Sequence, residues 1–525
     1  MLYRYEKYFF YLVLLLALSI IIIPKYYITG DGSSHVYNAK VLFDYLFGHE
    51  RAFYKEFYAI NRDIDANWVS HIILGTLLQV LPAWLADKSF QLIYLLSFAF
   101  GFRYLIQSIQ KENSFLSLLF FPFVFTLPFQ EGFYNYALSI TFLFWTLAYF
   151  IRHSQRLDNA IRQMTCGLLL LLTTFTHSMV GVYAMVLLFG LWAIELLTTN
   201  KHFTIRQHLE SFIRLVWIES ISLFMVLLFA LKRTTDTVPH AWTSAEKIKQ
   251  FFLLFASQST RNAEVYPAIG VGVLLLVFVV FSLVQKKIGL DKRAYLFMGC
   301  SLFTFVAYVY SPHSVGGVGS IDIRLAYLPF LFLLLYLAAI SWSNMSKNIF
   351  MFSAICISSL FLLIRFPYVM QASRIGEEIM TAKNYIADKS VVLIVHNDDW
   401  QRLTSGDSLF QKDGSFIHFS DMLGAEKDKH LILINNYEAE INYFPVNWRE
   451  GKNPRASIQE LMPGTYPPSG NLSLYEKQIQ RKIDYVVMQN GGNAMSDTAQ
   501  IIGLHDNFNQ VYASENHVVM VHKRK

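Results

Sequence analysis

Thr29-Gly-Asp-Gly-Ser-Ser-His-Val-Tyr-Asn-Ala-Lys40 follows directly on an apolar run that ends near Ile23-Pro24-Lys25. Whether that run is a membrane span decides how the rest of the chain is read. If it is, Asp31 stands where the chain leaves the bilayer, between Gly30 and Gly32. Ser33 or Ser34 then caps a helix that carries His35, Tyr37 and Asn38. The glycines let the backbone turn sharply and approach a ligand closely. Gly-Asp-Gly followed by Ser is also ordinary turn and cap chemistry, so the stretch takes its meaning from its surroundings.

Composition answers the first question. The chain has 525 residues, 54% of them hydrophobic and 16% charged. A soluble chain carries roughly 25% charged residues. The mean hydropathy is +0.35. With 45 Phe and 30 Tyr, the chain resembles proteins with aromatic belts at membrane interfaces. The net charge of +6 fits basic loops on one side of a membrane. No basic run interleaved with aromatics lies in a polar segment, which argues against nucleic acid. Cys166, Cys300 and Cys356 lie in apolar stretches without metal or disulfide spacing. The N-terminal run is too long for a signal h-region and reads as a retained first span.

A span needs about 20 apolar residues. The sequence predicts eleven: 8–24, 90–108, 114–130, 134–151, 163–176, 178–197, 212–231, 266–285, 294–311, 324–343 and 349–368. Residues 67–85, interrupted by His71, Gln79 and Pro82, are a twelfth candidate. With eleven spans and a cytoplasmic N-terminus, one side collects Arg4, Lys7, Lys111, Arg152, Arg156, Arg162, Lys201, Arg206, Lys286, Lys287, Lys292, Arg293 and Lys347. That is the positive-inside pattern in short loops. A twelfth span would put most of these charges outside. Residues 67–85 are therefore predicted to lie in the outer interface or to be re-entrant.

The other face receives 25–89, 232–265, 312–323 and everything after 369. Residues 33–47 read as an amphipathic helix stopped by Gly48. Asp63 and Asp65 form a second acidic point, or a solvated acidic turn. His71 lies one turn into an apolar helix, where a satisfied core histidine is the plainer reading. His177 breaks a long apolar run at the outer boundary, a place where an ionisable residue suggests function. Lys232 and Arg233 suit lipid phosphates or merely snorkel. Pro312-His-Ser-Val-Gly-Gly-Val-Gly-Ser-Ile-Asp-Ile-Arg324 is a glycine-rich loop carrying His313 and leading Arg324 into a span. A guanidinium fork there fits phosphate oxygens, or pairs with Asp322.

Residues 370–525 change character. A helix is expected over 373–388, with buried strands at 390–396, 430–435, 485–489 and 517–522. The expected architecture is an α-helical polytopic membrane bundle over 1–369, with a large first outer loop, and an extracytoplasmic α/β domain over 370–525. That domain shows no phosphate loop, nucleophile elbow or metal spacing. Covering, docking or partner contact is its expected role.

These features together resemble the C-class (GT-C) lipid-dependent glycosyltransferases, such as aminoarabinose transferases and protein O-mannosyltransferases. Gly30-Asp31-Gly32, with His35 in the following helix, matches the position of that superfamily's first acidic motif. Asn67-Trp68 and the 67–85 helix match the place of its interfacial helix. The chain is also similar to a group of bacterial membrane proteins sharing an Asp-Gly-x-x-His start and a Gly-Phe-Tyr-Asn turn, here Gly132–Asn135. The resemblance covers about residues 1–345. It departs at Gly32, where many members carry Glu after the Asp.

The resemblance implies a bacterial inner-membrane enzyme that moves a sugar from a polyprenyl-phosphate donor to a glycan, lipid or protein. Asp31 would be the general base. Arg324, helped by His313, Lys232 and Arg233, would stabilise the leaving phosphate. His35, Asp63, Asp65, His71 and His177 would orient acceptor or sugar. No residue is assigned to a metal, and a divalent ion, Mg or Mn, stays open. The competing expectations are a lipid or glycan transporter or flippase, and a non-catalytic scaffold. Few charges lie inside the spans, which disfavours a proton-coupled carrier.

Overall fold

The computed structural model describes residues 2–525 except 64, 155–157, 200–204, 233–236, 240–241, 260–261, 285–290, 317, 397–415, 457–471, 490–503 and 516–517. The chain is mostly helical, with a small sheet in its C-terminal part. Eight described helices are long and apolar enough to cross a membrane: Ala83–Ile109, Tyr134–His153, Ser178–Leu196, Ile205–Leu231, Asn262–Val284, Arg293–Tyr310, Ile321–Ala338 and Asn344–Tyr385. The predicted spans 8–24 and 163–176 correspond to shorter helices of 17 residues each, Glu6–Ile22 and Ala160–Thr176.

Contacts divide the chain into two compact units. The first holds residues 1–19, 93–129 and 134–365; the second holds 20–92, 130–133 and 366–525. The stretch that follows the first apolar helix is thus grouped with the C-terminal residues, a division that chain order does not suggest.

In the first unit the span expected at 114–130 is not a regular helix. It forms a 3-10 helix over Lys111–Phe120, then the single turns Phe121–Val124 and Leu127–Gln130. Pro122 and Pro128 explain the breaks, because each removes a backbone donor. Broken backbone at membrane depth is tolerated when it is buried in protein. Phe115 to Phe121 are fully buried. Neighbouring side chains take up the freed carbonyls: Tyr94 donates to Val124 O at 2.8 Å and Arg365 to Phe125 O at 3.3 Å. Arg365, itself fully buried, is held by the Glu264 carboxylate at 3.0 Å. Asn113 donates to the Ala338 carbonyl at 2.9 Å and to that of Ile340, closing the end of the helix Leu328–Ala338. Asn113→Ala is expected to lower stability by about 1–2 kcal/mol, because it strands buried acceptors; thermal unfolding in detergent reads this. By contrast, Trp217, Leu223, Phe224 and Leu231 on Ile205–Leu231 face outward, as lipid-contacting side chains do.

The second unit is built on the loop after the first apolar helix. We label α1 Glu6–Ile22, α2 Gly32–Phe47, α3 Arg51–Phe57, α4 Val69–Leu78 and α5 Ala83–Ile109. Lys88 donates to the carbonyls of Ile22, at 3.1 Å, and Pro24, at 2.6 Å, finishing the end of α1. Gln130 then holds the strand-like exit, donating to Ile28 O at 2.7 Å and accepting from the Tyr27 hydroxyl at 2.8 Å. Helix α2 begins at Gly32 with Asp31 at its N-cap position, and neither Ser33 nor Ser34 caps it. Gly48 ends it, as expected, with its N–H on Asp44 O. The helix is not half-solvated as its pattern suggested: Gly32 to Leu42 are buried all round. Helix α4 has ten residues, about 15 Å of rise, and is too short to cross a bilayer of about 30 Å. It packs on α2 so closely that a Cβ at Gly75 would lie 2.1 Å from the Phe43 ring.

The C-terminal sheet has five strands in the order Leu431–Leu433, Ser390–His396, Tyr485–Gln489, Val519–Arg524 and Phe508–Ala513. The first three are parallel and the last two antiparallel. Four correspond to predicted strands. The edge strand Phe508–Ala513 was not predicted, because Asn509 and Gln510 face solvent and leave no apolar run. The helix expected over 373–388 is the end of one 37-residue helix, Asn344–Met380, followed by a 3-10 turn Thr381–Tyr385. A short antiparallel pair, Tyr58–Ile60 with Val446–Trp448, links the first loop to the C-terminal residues, with Tyr58 stacked on Trp448 at 4.7 Å.

Candidate functional site

The glycines flanking Asp31 allow one close approach. Gly30 N–H donates to Gln130 O at 2.8 Å, and Asp31 N–H to Glu131 O at 2.9 Å. A Cβ at Gly30 would sit 2.7 Å from Glu131 O. Gly132 answers from the other side with φ of +83°, and a Cβ there would lie 2.4 Å from Asp31 N. The two short motifs noted in the sequence, Asp31-Gly-x-x-His35 and the turn at Gly132, therefore lie back to back. Gly132→Ala is expected to cost at least about 1–2 kcal/mol from left-handed backbone alone and to displace Asp31. The melting temperature of the variant measures it.

One turn into α2, the His35 Nε2 donates to the Gly132 carbonyl at 3.1 Å. Its Nδ1 lies 2.6 Å from Glu438 Oε1. From α4, His71 Nε2 lies 2.8 Å from Glu438 Oε2. The far edge of the His71 ring meets Ser70 Oγ at 3.4 Å, and the Asn67 backbone accepts a hydrogen bond from it. One carboxylate thus bridges two imidazoles, and all three residues are buried. The rings stand edge to face at 5.1 Å, with Phe444 against both.

Burial works against charge here, and the balance differs among the three groups. For His35, the Glu438 carboxylate outweighs burial and lifts the imidazole above its usual value. For His71, burial wins and the imidazole is lowered. Burial would raise Glu438, but the two imidazoles hold it down to about 2. The two imidazoles on this one carboxylate thus shift in opposite senses, His35 up and His71 down, because burial outweighs the carboxylate only at His71.

Beside it lies Asp31, whose side chain keeps about a quarter of its exposure. Tyr437 lies beside it, close enough for the two groups to interact electrostatically, and His418 Nε2 is 3.7 Å from Asp31 Oδ1. His418 stacks on Tyr437 at 4.3 Å, and its Nδ1 lies 3.7 Å from Asp421 Oδ2. Asp421 is fully buried, and burial, with the Glu438 and Asp31 charges behind it, pushes its carboxyl well above the usual range. The arrangement presents one reachable carboxylate backed by imidazole and phenol. Such a group can take or give a proton.

No protein-family model matches the chain, and a search of curated proteins finds no relative. The site must therefore be read from its own geometry.

The predicted residues divide between the two units. Asp31, His35 and His71 fall together in the second, joined there by Asp63 and Asp65 in different settings. Asp63 is exposed, with its N–H on Asn61 Oδ1 at 3.0 Å, and belongs to a solvated turn. Asp65 is buried and accepts from the Ala66 N–H at 2.8 Å. In the first unit, Arg324 and His177 come together, with Nη1 and Nε2 3.4 Å apart, and Tyr136 lies under the guanidinium at 5.8 Å. The Tyr136 hydroxyl also holds the Arg324 carbonyl. Burial and the Arg324 charge push the His177 imidazole well down. His313 Nδ1 lies 3.4 Å from Asp322 Oδ1. Lys232 is exposed at the end of Ile205–Leu231, and Arg233 lies outside the described residues.

Sequence reading missed Glu438, His418, Asp421 and Tyr437. One signal was available. Asn435-Asn436-Tyr437-Glu438 follows the parallel strand Leu431–Leu433, and polar residues beyond the carboxyl end of a parallel strand are where such sheets bind ligands. Asn436 exchanges two hydrogen bonds of 2.9 Å with Asn38, which fixes Glu438 against α2.

Proposed function

We propose that the chain is an integral membrane glycosyltransferase of GT-C type, using a polyprenyl-phosphate sugar with Asp31 as general base. One observation carries the reading: a partly exposed carboxylate, beside Tyr437 and His418, begins the first helix after an apolar segment. Asp31 takes the proton from an acceptor hydroxyl or amine. The acceptor atom bonds to the anomeric carbon, the bond from that carbon to phosphate breaks, and polyprenyl phosphate leaves. Taken by itself, Arg324 beside His177 in the first unit has the fork chemistry that suits phosphate oxygens.

The sidedness rests on the short basic loops, which put the N-terminus in the cytoplasm and Asp31 on the opposite face of a bacterial inner membrane. Helix α4 then lies in the outer interface or re-enters it. The acceptor is a glycan, a lipid or a protein. Purified chain in liposomes, given a polyprenyl-phosphate sugar labelled in the sugar, tests the reading. Transfer yields free polyprenyl phosphate and a labelled acceptor. Movement of intact donor between leaflets, without cleavage, would make the protein a lipid or glycan carrier instead.

A further inference from the structure

We propose that His35, His71 and Glu438 form a binding site for one divalent transition metal ion of the zinc class, clamping α2 and α4 to the residues after Leu431–Leu433. This goes beyond the transferase reading and does not depend on it.

Four observations converge. First, two imidazole nitrogens and a carboxylate oxygen from three distant segments lie within 4.8 Å of one another, all buried. Second, the far side of each ring is already engaged: Gly132 O accepts from His35, and the Asn67 backbone accepts from His71. Metal-bound histidines carry this backing, which fixes the tautomer and turns the remaining lone pair inward. Third, the two residues supplying those acceptors, Gly132 at φ +83° and Asn67 at φ +78°, both have left-handed backbone. Asn tolerates that conformation at little cost, so the turn that brings its backbone to His71 is one the sequence supports. Fourth, the Phe444 ring, 5.7 Å from His35 and 5.4 Å from His71, gives the cluster an apolar wall.

The charge count points the same way. With both outer nitrogens donating to carbonyls, neutral rings would aim two lone pairs at the Glu438 carboxylate. Only positive charge between them makes that arrangement favourable. A proton relieves one contact, whereas a divalent ion relieves both at once. The donor set selects the ion: two imidazoles with one carboxylate suit zinc and its neighbours, whereas magnesium takes oxygen ligands. Ligand atoms around a tetrahedral ion stand about 3.3 Å apart, given bonds of about 2.0–2.1 Å. The contacts of 2.6 and 2.8 Å must therefore open by roughly half an ångström or somewhat more to admit the ion. Three protein ligands leave a fourth position for water.

The test uses the full chain purified in detergent without chelators, with metal content as the readout. The expected result is about one equivalent of transition metal per chain. Chelator-stripped wild type should then take up Co²⁺ with the visible absorption of a four- or five-coordinate site. His71→Asn and Glu438→Gln should each weaken Co²⁺ uptake by at least about 100-fold. A folded, stripped wild type that binds neither Co²⁺ nor Zn²⁺ would overturn the proposal, whether or not the variants fold. Stoichiometric metal that both folded variants retain unchanged would overturn it equally, since the ion would then sit elsewhere. Because no sugar transfer is measured, these outcomes are separate from the fate of the transferase reading.

Discussion

Replacing Glu438 with alanine is expected to cost the second unit about 3–5 kcal/mol, enough to lower its melting temperature sharply or abolish its folding. The cause is burial without compensation. Glu438 is fully buried and faces two imidazoles at 2.6 and 2.8 Å. Without the carboxylate, two buried imidazoles lose their polar partner in a dry site. His35 and His71 cannot turn to water, because Phe444, Gly132 and the α2–α4 contact enclose them. A comparison sharpens the prediction. Replacing His35, His71 and Glu438 together with leucine should cost less than Glu438→Ala alone, since no polar group is then stranded. Thermal unfolding of the full chain in detergent measures both. A Glu438→Ala protein as stable as wild type would show that the carboxylate does not balance the imidazoles.

The long apolar helices were legible because they rest on long apolar runs, and a 17-residue helix such as α1 is visible in composition alone. The strands at 390–396 and 485–489 were legible for the same reason. The failures share a different cause. Residues 114–130 are as apolar as a span, but Pro122 and Pro128 break them, and only contacts from other elements, from Tyr94 and Arg365, show how the broken backbone is satisfied. The site was half legible. Asp31, His35 and the Gly132 turn are local motifs with recognisable glycines. Glu438 is 367 residues from His71 and sits in no spacing pattern, so its role follows only from the folding of the C-terminal residues onto α2. His71 read more plainly as a core histidine; it is buried, and its partner there is a carboxylate.

Asp31→Asn is expected to reduce sugar transfer by about 10²–10⁴-fold, the usual contribution of a positioned base. Asparagine keeps the shape, but it cannot take a proton. The backbone contacts that place residue 31, its N–H on Glu131 O and the approach of Gly132, do not involve the side chain. Folding should therefore survive, and the loss should fall on kcat rather than on the amount of protein. The decisive measurement is the transfer rate from a polyprenyl-phosphate sugar by wild type and Asp31→Asn, side by side in liposomes at matched protein levels. The account predicts measurable transfer by wild type and a loss of at least about 100-fold in the variant. Equal rates in the two proteins would contradict it.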